Sequence, residues 1–226
     1  MLKVNVKGFI DVTMTAYHGL KGFPTPWILD YQMEATATHE THNRSVTKLS
    51  TSTHTGTHID VPAHFLRNGA TLDKFSIEDF LGTGYLLDFS YKNSLDGIDI
   101  QDIKETGYQI GAGDIVIFRT DWSDHFPSKK YFSQAPFITQ AAADFLCERN
   151  VKAIGVDTAS VEDPRELSPQ KASAIHQKLL GSGMYIIEGL TELKQIPEGQ
   201  IEIICFPLKL KSADGAPARV ALKPVK

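Results

Sequence analysis

Residues 54 to 64 read HTGTHIDVPAH, which places three histidines and an aspartate in eleven positions of a 226-residue chain with only eight histidines. An even spread would put about 0.4 of a histidine in such a window. Two neutral imidazoles, His54 and His58, with the carboxylate of Asp60 suit Zn²⁺, Mn²⁺ or Fe²⁺ and leave coordination positions for water and substrate. A cation held this way brings the pKa of its water toward neutrality, and a further histidine close by, His64, can shuttle the proton. The competing reading is a polar, hydrogen-bonded loop without metal.

Geometry narrows the choice. All four positions are even, so an extended chain turns all four side chains to one face. His58 and Asp60 would then stand about 6.5–7 Å apart, close enough to converge on one ion. His54 is harder, because four extended residues span roughly 13 Å. A helix would close that gap, but Gly56, the β-branched Thr57, Ile59 and Val61, and Pro62 all oppose one. What remains is a sharp bend, for which Gly56 supplies the permissive backbone. Thr55 and Thr57 can hydrogen-bond the turn or the ligands, and Pro62 fixes the exit that aims His64 back toward the cluster.

The elements around this window read as mixed α and β. KVNVKGFIDVTM alternates as a half-buried strand, and NRSVTKLSTSTH is β-like up to the cluster itself. SIEDFLG predicts a short helix with a serine cap and a glycine stop. TGYLLDFS and GDIVIFRTDW read as buried strands. FITQAAADFLCERN carries apolar residues at helical spacing (Phe137, Ala141, Phe145, with Leu146 near its end), and VKAIGVD follows as a strand. That helix-then-strand unit predicts a crossover in a parallel or mixed sheet. PQKASAIHQKLLGSG predicts a second helix, leading into the strand MYIIEG; IEIICFPLKL and ARVALKPV are two last strands flanking the loop KSADGAP. The expectation is an α/β fold, mixed and strand-rich, forming a single domain over residues 1–226.

Composition and failed motifs exclude several classes. Hydrophobic residues at 42%, charged residues at 22% and a net charge of −4 describe a globular chain without the basic stripe of a nucleic-acid binder. PLKLKS, the nearest approach to one, alternates like a solvated strand face. No apolar run is long enough for a bilayer span and no leader pattern is visible, so a cytoplasmic protein without membrane or nucleic-acid partners is expected. Cys147 and Cys205 have no CxxC neighbour and read as inert thiols in a helix and a buried strand. The pairs Gly82/Gly84, Gly111/Gly113 and Gly181/Gly183 lack the third glycine of a dinucleotide fingerprint and read as turns. P-loop and GxSxG patterns are absent. His39 and His42 in HETH fall one residue short of HExxH, among β-branched threonines. His18 and His125 are isolated, although His125 beside Trp122 and Phe126 could line a pocket.

HTGTHIDVPAH resembles the HxGTHxDxPxH signature of the cyclase family of metal-dependent hydrolases, which includes bacterial kynurenine formamidases and isatin hydrolases. HQKLLGSGMYIIEGL is similar to the family's second motif, a histidine followed twelve residues later by a glutamate on a strand. These are His176 and Glu188, and VKAIGVDTASVED resembles the segment before them. The resemblance implies a swivelling β/α/β fold, one metal on His54, His58 and Asp60, and a second on Asp60, His176 and Glu188, with Asp60 as the bridge. It implies His64 as catalytic acid/base, one or two divalent ions of Zn²⁺ or Mn²⁺, and a homodimer or larger homo-oligomer. Taken from the residues alone, His176 is a helix-face histidine; Glu188 closes an apolar strand, where an unpaired carboxylate is expensive to bury. Two loops depart from the kynurenine formamidase pattern. GLKGFPTPW, with Trp27 displaced, replaces a Trp-Pro-Gly-Asp-like stretch, and QAPFIT replaces a Pro-Gly-Leu form.

The expected activity is hydrolysis of a small cyclic or N-acyl amide, arylformamidase- or isatin hydrolase-like, by metal-activated water with His64 moving the proton. The alternatives are metal-assisted cyclisation or dehydration, and a metal- or ligand-binding protein without turnover.

Overall fold

Alternation along each strand decides which side chains enter the core of this chain and which meet its helices. The computed structural model describes residues 7–167 and 173–225. In chain order its strands are β1 (Ile10–Asp11), β2 (Gln32–Ala37), β3 (Val46–Ser50), β4 (His58–Asp60), β5 (Leu81–Asp88), β6 (Gly97–Ile98), β7 (Ile115–Arg119), β8 (Phe137–Ile138), β9 (Ala153–Val156), β10 (Tyr185–Glu188), β11 (Gly199–Pro207) and β12 (Gly215–Pro224). The helices are α1 (His39–His42), α2 (Ile100–Glu105), α3 (Lys129–Ser133), α4 (Gln140–Glu148) and α5 (Ala174–Gly181).

Seven strands close into a barrel-like sheet in the order β12-β11-β5-β7-β9-β10-β4, with β4 returning to pair with β12, and β1 lies along the free side of β12. Strands β5, β7, β9 and β10 run parallel. Parallel neighbours need crossovers, and α2, α4 and α5 lie on the three that join them. Ile115 and Ile117 of β7 point inward with Ile59 and Ile187, while Val116 and Phe118 point outward to meet Ile103, Leu146 and Leu179 of the helices. The outward parity on β4 and β10 belongs to His58, Asp60, Ile186 and Glu188. The site therefore lies on the outer face of the barrel, under the helix layer, and its carboxylates are buried without entering the apolar lumen.

The mixed, strand-rich architecture and the helix-then-strand crossover agree with the sequence expectation, and Cys147 and Cys205 sit in α4 and β11 as read. Other expectations need correction. Phe137 belongs to β8, which pairs in parallel with β6; α4 starts only at Gln140, where Thr139 accepts a hydrogen bond from the Ala142 amide as N-cap. Residues 76–80 do have the serine cap, but they form a 3-10 turn (Ile77–Phe80), and Leu81 and Gly82 continue as β5 instead of stopping it. Gly82 and Gly84 are thus strand residues; a Cβ on Gly84 would sit 1.9 Å from the Ile115 carbonyl oxygen, so the glycine permits close pairing with β7. HETH is one helical turn despite its threonines, with Asn43 closing it in the left-handed region. Strand β11 ends at Pro207, so the lysines of PLKLKS lie in a loop. Of the opening segment, only residues from Lys7 on are described, and β1 is two residues long. The start of PQKASAIHQKLLGSG lies outside the described residues, and its helix is observed as Ala174–Gly181.

Ile59 is fully buried at the centre of the three-residue strand that carries the site. Replacing it with alanine should cost about 2–5 kcal/mol of unfolding free energy, measured by denaturant titration.

Candidate metal centre

Strand β4 is paired on both sides. On one side Glu188 stands opposite His58 and Ile186 opposite Asp60; on the other, Gly215 stands opposite Asp60. Directly opposed residues of antiparallel strands share a face, so Glu188 is delivered to His58 by register alone. Gly56 adopts φ 72°, and the chain turns there as the spacing demanded. The His58 Nδ1 donates to the Gly56 carbonyl at 2.8 Å. A carbonyl can only accept, so Nδ1 carries the hydrogen of that bond, and His58 Nε2 lies 3.3 Å from Asp60 Oδ1 and 3.6 Å from Glu188 Oε2.

The bend brings His54 back onto the same carboxylate. Its Nδ1 lies 2.6 Å from Asp60 Oδ1 and its Nε2 lies 2.9 Å from Asp214 Oδ2. Gly215 makes room, because a Cβ there would stand 2.7 Å from His54 Cε1. Pro62 opens a 3-10 turn, Pro62–His64, which stacks the His64 ring on His54 with centroids 3.7 Å apart. From α5, the His176 backbone N–H and its Nδ1 both donate to Glu162 Oε1, at 2.8 and 3.0 Å. That leaves His176 Nε2 3.1 Å from Glu188 Oε1 and 3.5 Å from Asp60 Oδ2. All six residues singled out from the sequence (His54, His58, Asp60, His64, His176 and Glu188) thus meet at one place.

Among the described residues two groups of donor atoms lie close enough together to share an ion: His54, Asp60 and His64, and His58, Asp60 and Glu188. Asp60 is common to both. It is 1% exposed, and its Oδ2 has no hydrogen-bond partner. An orphaned carboxylate oxygen this deep costs several kcal/mol unless a cation satisfies it, so the residues fit a divalent metal. The nitrogen and oxygen donors are those of zinc and other borderline divalent ions.

Electrostatics describe what holds the centre together before metal enters. Burial opposes a charge on His54, yet Asp60 and Asp214 outweigh it and raise its pKa to about 10. Burial likewise opposes the His176 cation, and the carboxylates of Asp60, Glu162 and Glu188 that face it raise it well above the ordinary value. Asp60 moves the other way: desolvation is overcome by His54, His64 and His58, which hold its carboxyl well below the usual range. Protons thus occupy positions that a metal would take, and binding must release them.

Sequence reasoning missed two residues of this centre. Glu162 is 4% exposed and fixes the ring of His176; it lies in the quoted VED segment but carries no spacing signal of its own. Asp214, in the loop before β12, was visible only as part of KSADGAP. Strand pairing alone brings it beside residues 160 positions away. A further buried carboxylate, Asp157, accepts from the Thr120 amide and hydroxyl at the end of β9.

The remaining histidines do other work. His18 Nδ1 accepts from the Met33 amide, and His39 and His42 lie on the exposed turn. His125 packs edge-on against Trp122 and lies 2.9 Å from the Lys130 ammonium, outside the cavities near the site. A small cavity at His54 and His58 is walled by Phe23, Phe126, Tyr131 and Phe132. Next to it a cleft of about 610 Å³ is lined by residues 21–25, 28–30 and 32 together with Pro127, Lys129 and Phe132. The divergent GLKGFPTPW loop therefore shapes the approach, whereas Trp27 points to solvent, 59% exposed. QAPFIT does not line either space; its Phe137 lies under the Arg165 guanidinium.

Comparison with known proteins gives a consistent set. Residues 10–163 match the Cyclase family, described as "Putative cyclase". The kynurenine formamidase of Bacillus cytotoxicus is 30% identical over 217 residues, covering 96% of this chain and 98% of that protein. Isatin hydrolase A from Ralstonia solanacearum superposes with a TM-score of 0.87 at 26% identity, over 96% of this chain and 92% of that one. A structure described as a potential metal-dependent hydrolase with cyclase activity is 31% identical, with a TM-score of 0.77 over 96% and 98% of the two chains.

Glu162→Gln should weaken metal binding about 10–100-fold in a chelator competition, because the orientation of His176 depends on that carboxylate. Burial pushes the Asp157 carboxyl up to about 7 from 3.8 despite its hydrogen bonds from Thr120. An acid whose folded pKa lies above its unfolded one takes stability away as pH rises toward and through the folded value. Between about pH 5 and about pH 8, Asp157→Asn should therefore gain unfolding free energy relative to the parent, as read from denaturation at each pH.

Proposed function

The chain belongs to the Cyclase family, and from that premise we propose that it is a metal-dependent hydrolase of carbon–nitrogen bonds in small cyclic or N-acyl amides, arylformamidase- or isatin hydrolase-like in its chemistry. The observation that carries this reading is the orphaned Oδ2 of Asp60, ringed by histidines and one more carboxylate beside an aromatic-walled cavity.

In this reading His54, His58 and Asp60 hold one ion, and Asp60, His176 and Glu188 hold a second, with zinc or manganese as the metal. A bound divalent cation supplies a Lewis acid for the carbonyl oxygen and lowers the pKa of water at the site. The residues of the chain do the rest. Asp60 anchors both halves of the ligand set through its two oxygens. His64, about a quarter exposed and therefore open to substrate, takes the proton from the attacking water and returns it to the leaving nitrogen. Phe23, Phe126 and Phe132 hold a planar apolar substrate and limit water around it.

The chain acts as one domain, in the cytoplasm, as a homodimer or larger homo-oligomer. The hairpin β2–β3 supports the last point: it is exposed along nearly its whole length, with Leu49 60% exposed, and an isolated two-stranded hairpin is marginal in water.

His58→Ala should lose metal in elemental analysis. His64→Ala should keep metal and lose about 10²–10⁴ of its turnover on formamides, isatin or lactams. In ¹⁸O-water the product carboxylate should carry solvent oxygen; product without it would replace hydrolysis by cyclisation or dehydration, and metal binding without any turnover would leave a binding protein.

A further inference from the structure

The loop before β12 places a third kind of group against the ligand set. Asp214 Oδ2 lies 2.9 Å from His54 Nε2 and 3.5 Å from His64 Nδ1, so one carboxylate oxygen faces both imidazoles. Its other oxygen accepts the Thr53 hydroxyl at 3.1 Å. The backbone beneath it is also fixed, because the Val61 amide donates to the Asp214 carbonyl and Gly215 is in register with Asp60. Asp214 is therefore held by the same strand pairing that holds the metal ligands.

His64 needs such a group. Its ring lies between His54, stacked at 3.7 Å, and Phe65, edge-on at 4.3 Å. These contacts fix the plane of the ring but do not distinguish its two nitrogens. A half-turn about the Cβ–Cγ bond exchanges Nδ1 with Cδ2 and Nε2 with Cε1 at little steric cost and moves the proton-transfer nitrogen. A carboxylate 3.5 Å from Nδ1 removes that freedom, because it favours the orientation and tautomer with the hydrogen on Nδ1 and the lone pair on Nε2.

We propose that Asp214 is a positioning residue that fixes the ring orientation and tautomer of His64 for proton transfer while it steadies the ring of His54. The inference rests on the reading of His64 as the acid/base. It assigns two jobs to one oxygen. Through His54 it acts on metal affinity, and through His64 it acts on turnover, so the two effects separate when metal is saturating.

The test is a double-mutant cycle on the metal-loaded enzyme. Asp214→Asn should lower kcat about 10–100-fold at saturating metal, with KM and the unfolding midpoint unchanged. In a His64→Ala background the same substitution should change kcat by less than about twofold, because its target is gone. Metal affinity should fall alike in both backgrounds. Ring ¹⁵N shifts of His64 in histidine-labelled protein, assigned by their loss in His64→Ala, should report one tautomer in the parent and a mixture in Asp214→Asn. Asp214→Ser runs through the same cycle as a second variant. If kcat falls as far in the His64→Ala background as in the parent, Asp214 does not act through His64 and the proposal is overturned. It is equally overturned if His64→Ala is inactive while Asp214→Asn turns over like the parent with an unchanged His64 tautomer. Full turnover by His64→Ala removes the acid/base reading itself, and the positioning role with it.

Discussion

Everything at the site depends on a three-residue strand that is hydrogen-bonded along both edges. Strand β4 supplies His58 and Asp60 directly, receives Glu188 from β10, and brings the loop before β12 within reach of His54. Because the two ladders close the barrel, the positions of these groups are set by backbone register and not by flexible side chains. A donor cluster built this way is preorganised, because its groups are brought together by the fold itself. The helix layer then adds His176 from outside, over a face already made polar.

The same arrangement concentrates charge where water is scarce. Asp60, Glu162 and Glu188 are all nearly buried, and each faces at least one imidazole. Among the described residues imidazoles are the groups that face these carboxylates, which explains why the pKa values of His54 and His176 are raised. The apolar lumen takes no part in this; its Ile59 and Ile187 keep the opposite parity and pack the barrel. Alternation thus separates a low-dielectric core, which stabilises the fold, from a polar outer face, which does the chemistry.

Much of this was legible in the sequence because HTGTHIDVPAH is a local signal. Parity, the reach of an extended chain and the need for a sharp bend at Gly56 are properties of consecutive residues, and Gly56 does turn the chain, at φ 72°. Glu188 was legible in a weaker sense, as a carboxylate closing the apolar strand YIIEG. Asp214 and Glu162 were not. Neither differs in its neighbourhood from ordinary loop acids, and each matters only because a strand pairing or a crossover helix delivers a histidine to it. The errors in secondary structure have the same origin. Gly82 and Gly84 look like turn residues in isolation, but β5 uses them for close approach to β7; Phe137 fits a helical repeat, but it pairs beside β6.

The groups of the site are spread over four stretches of chain: 54–64, 162, 176–188 and 214. The stretch from His54 to Glu188 carries all six residues singled out from the sequence, but without the loop before β12 it lacks the Asp214 carboxylate beside His54 Nε2. During synthesis the first histidines emerge long before His176 and Glu188, and Asp214 follows later still, just ahead of the strand that closes the barrel on β4. Until β12 pairs with β4, His54 has Asp60 for a partner but not Asp214, so closure of the barrel is also the step that completes the surroundings of that ring.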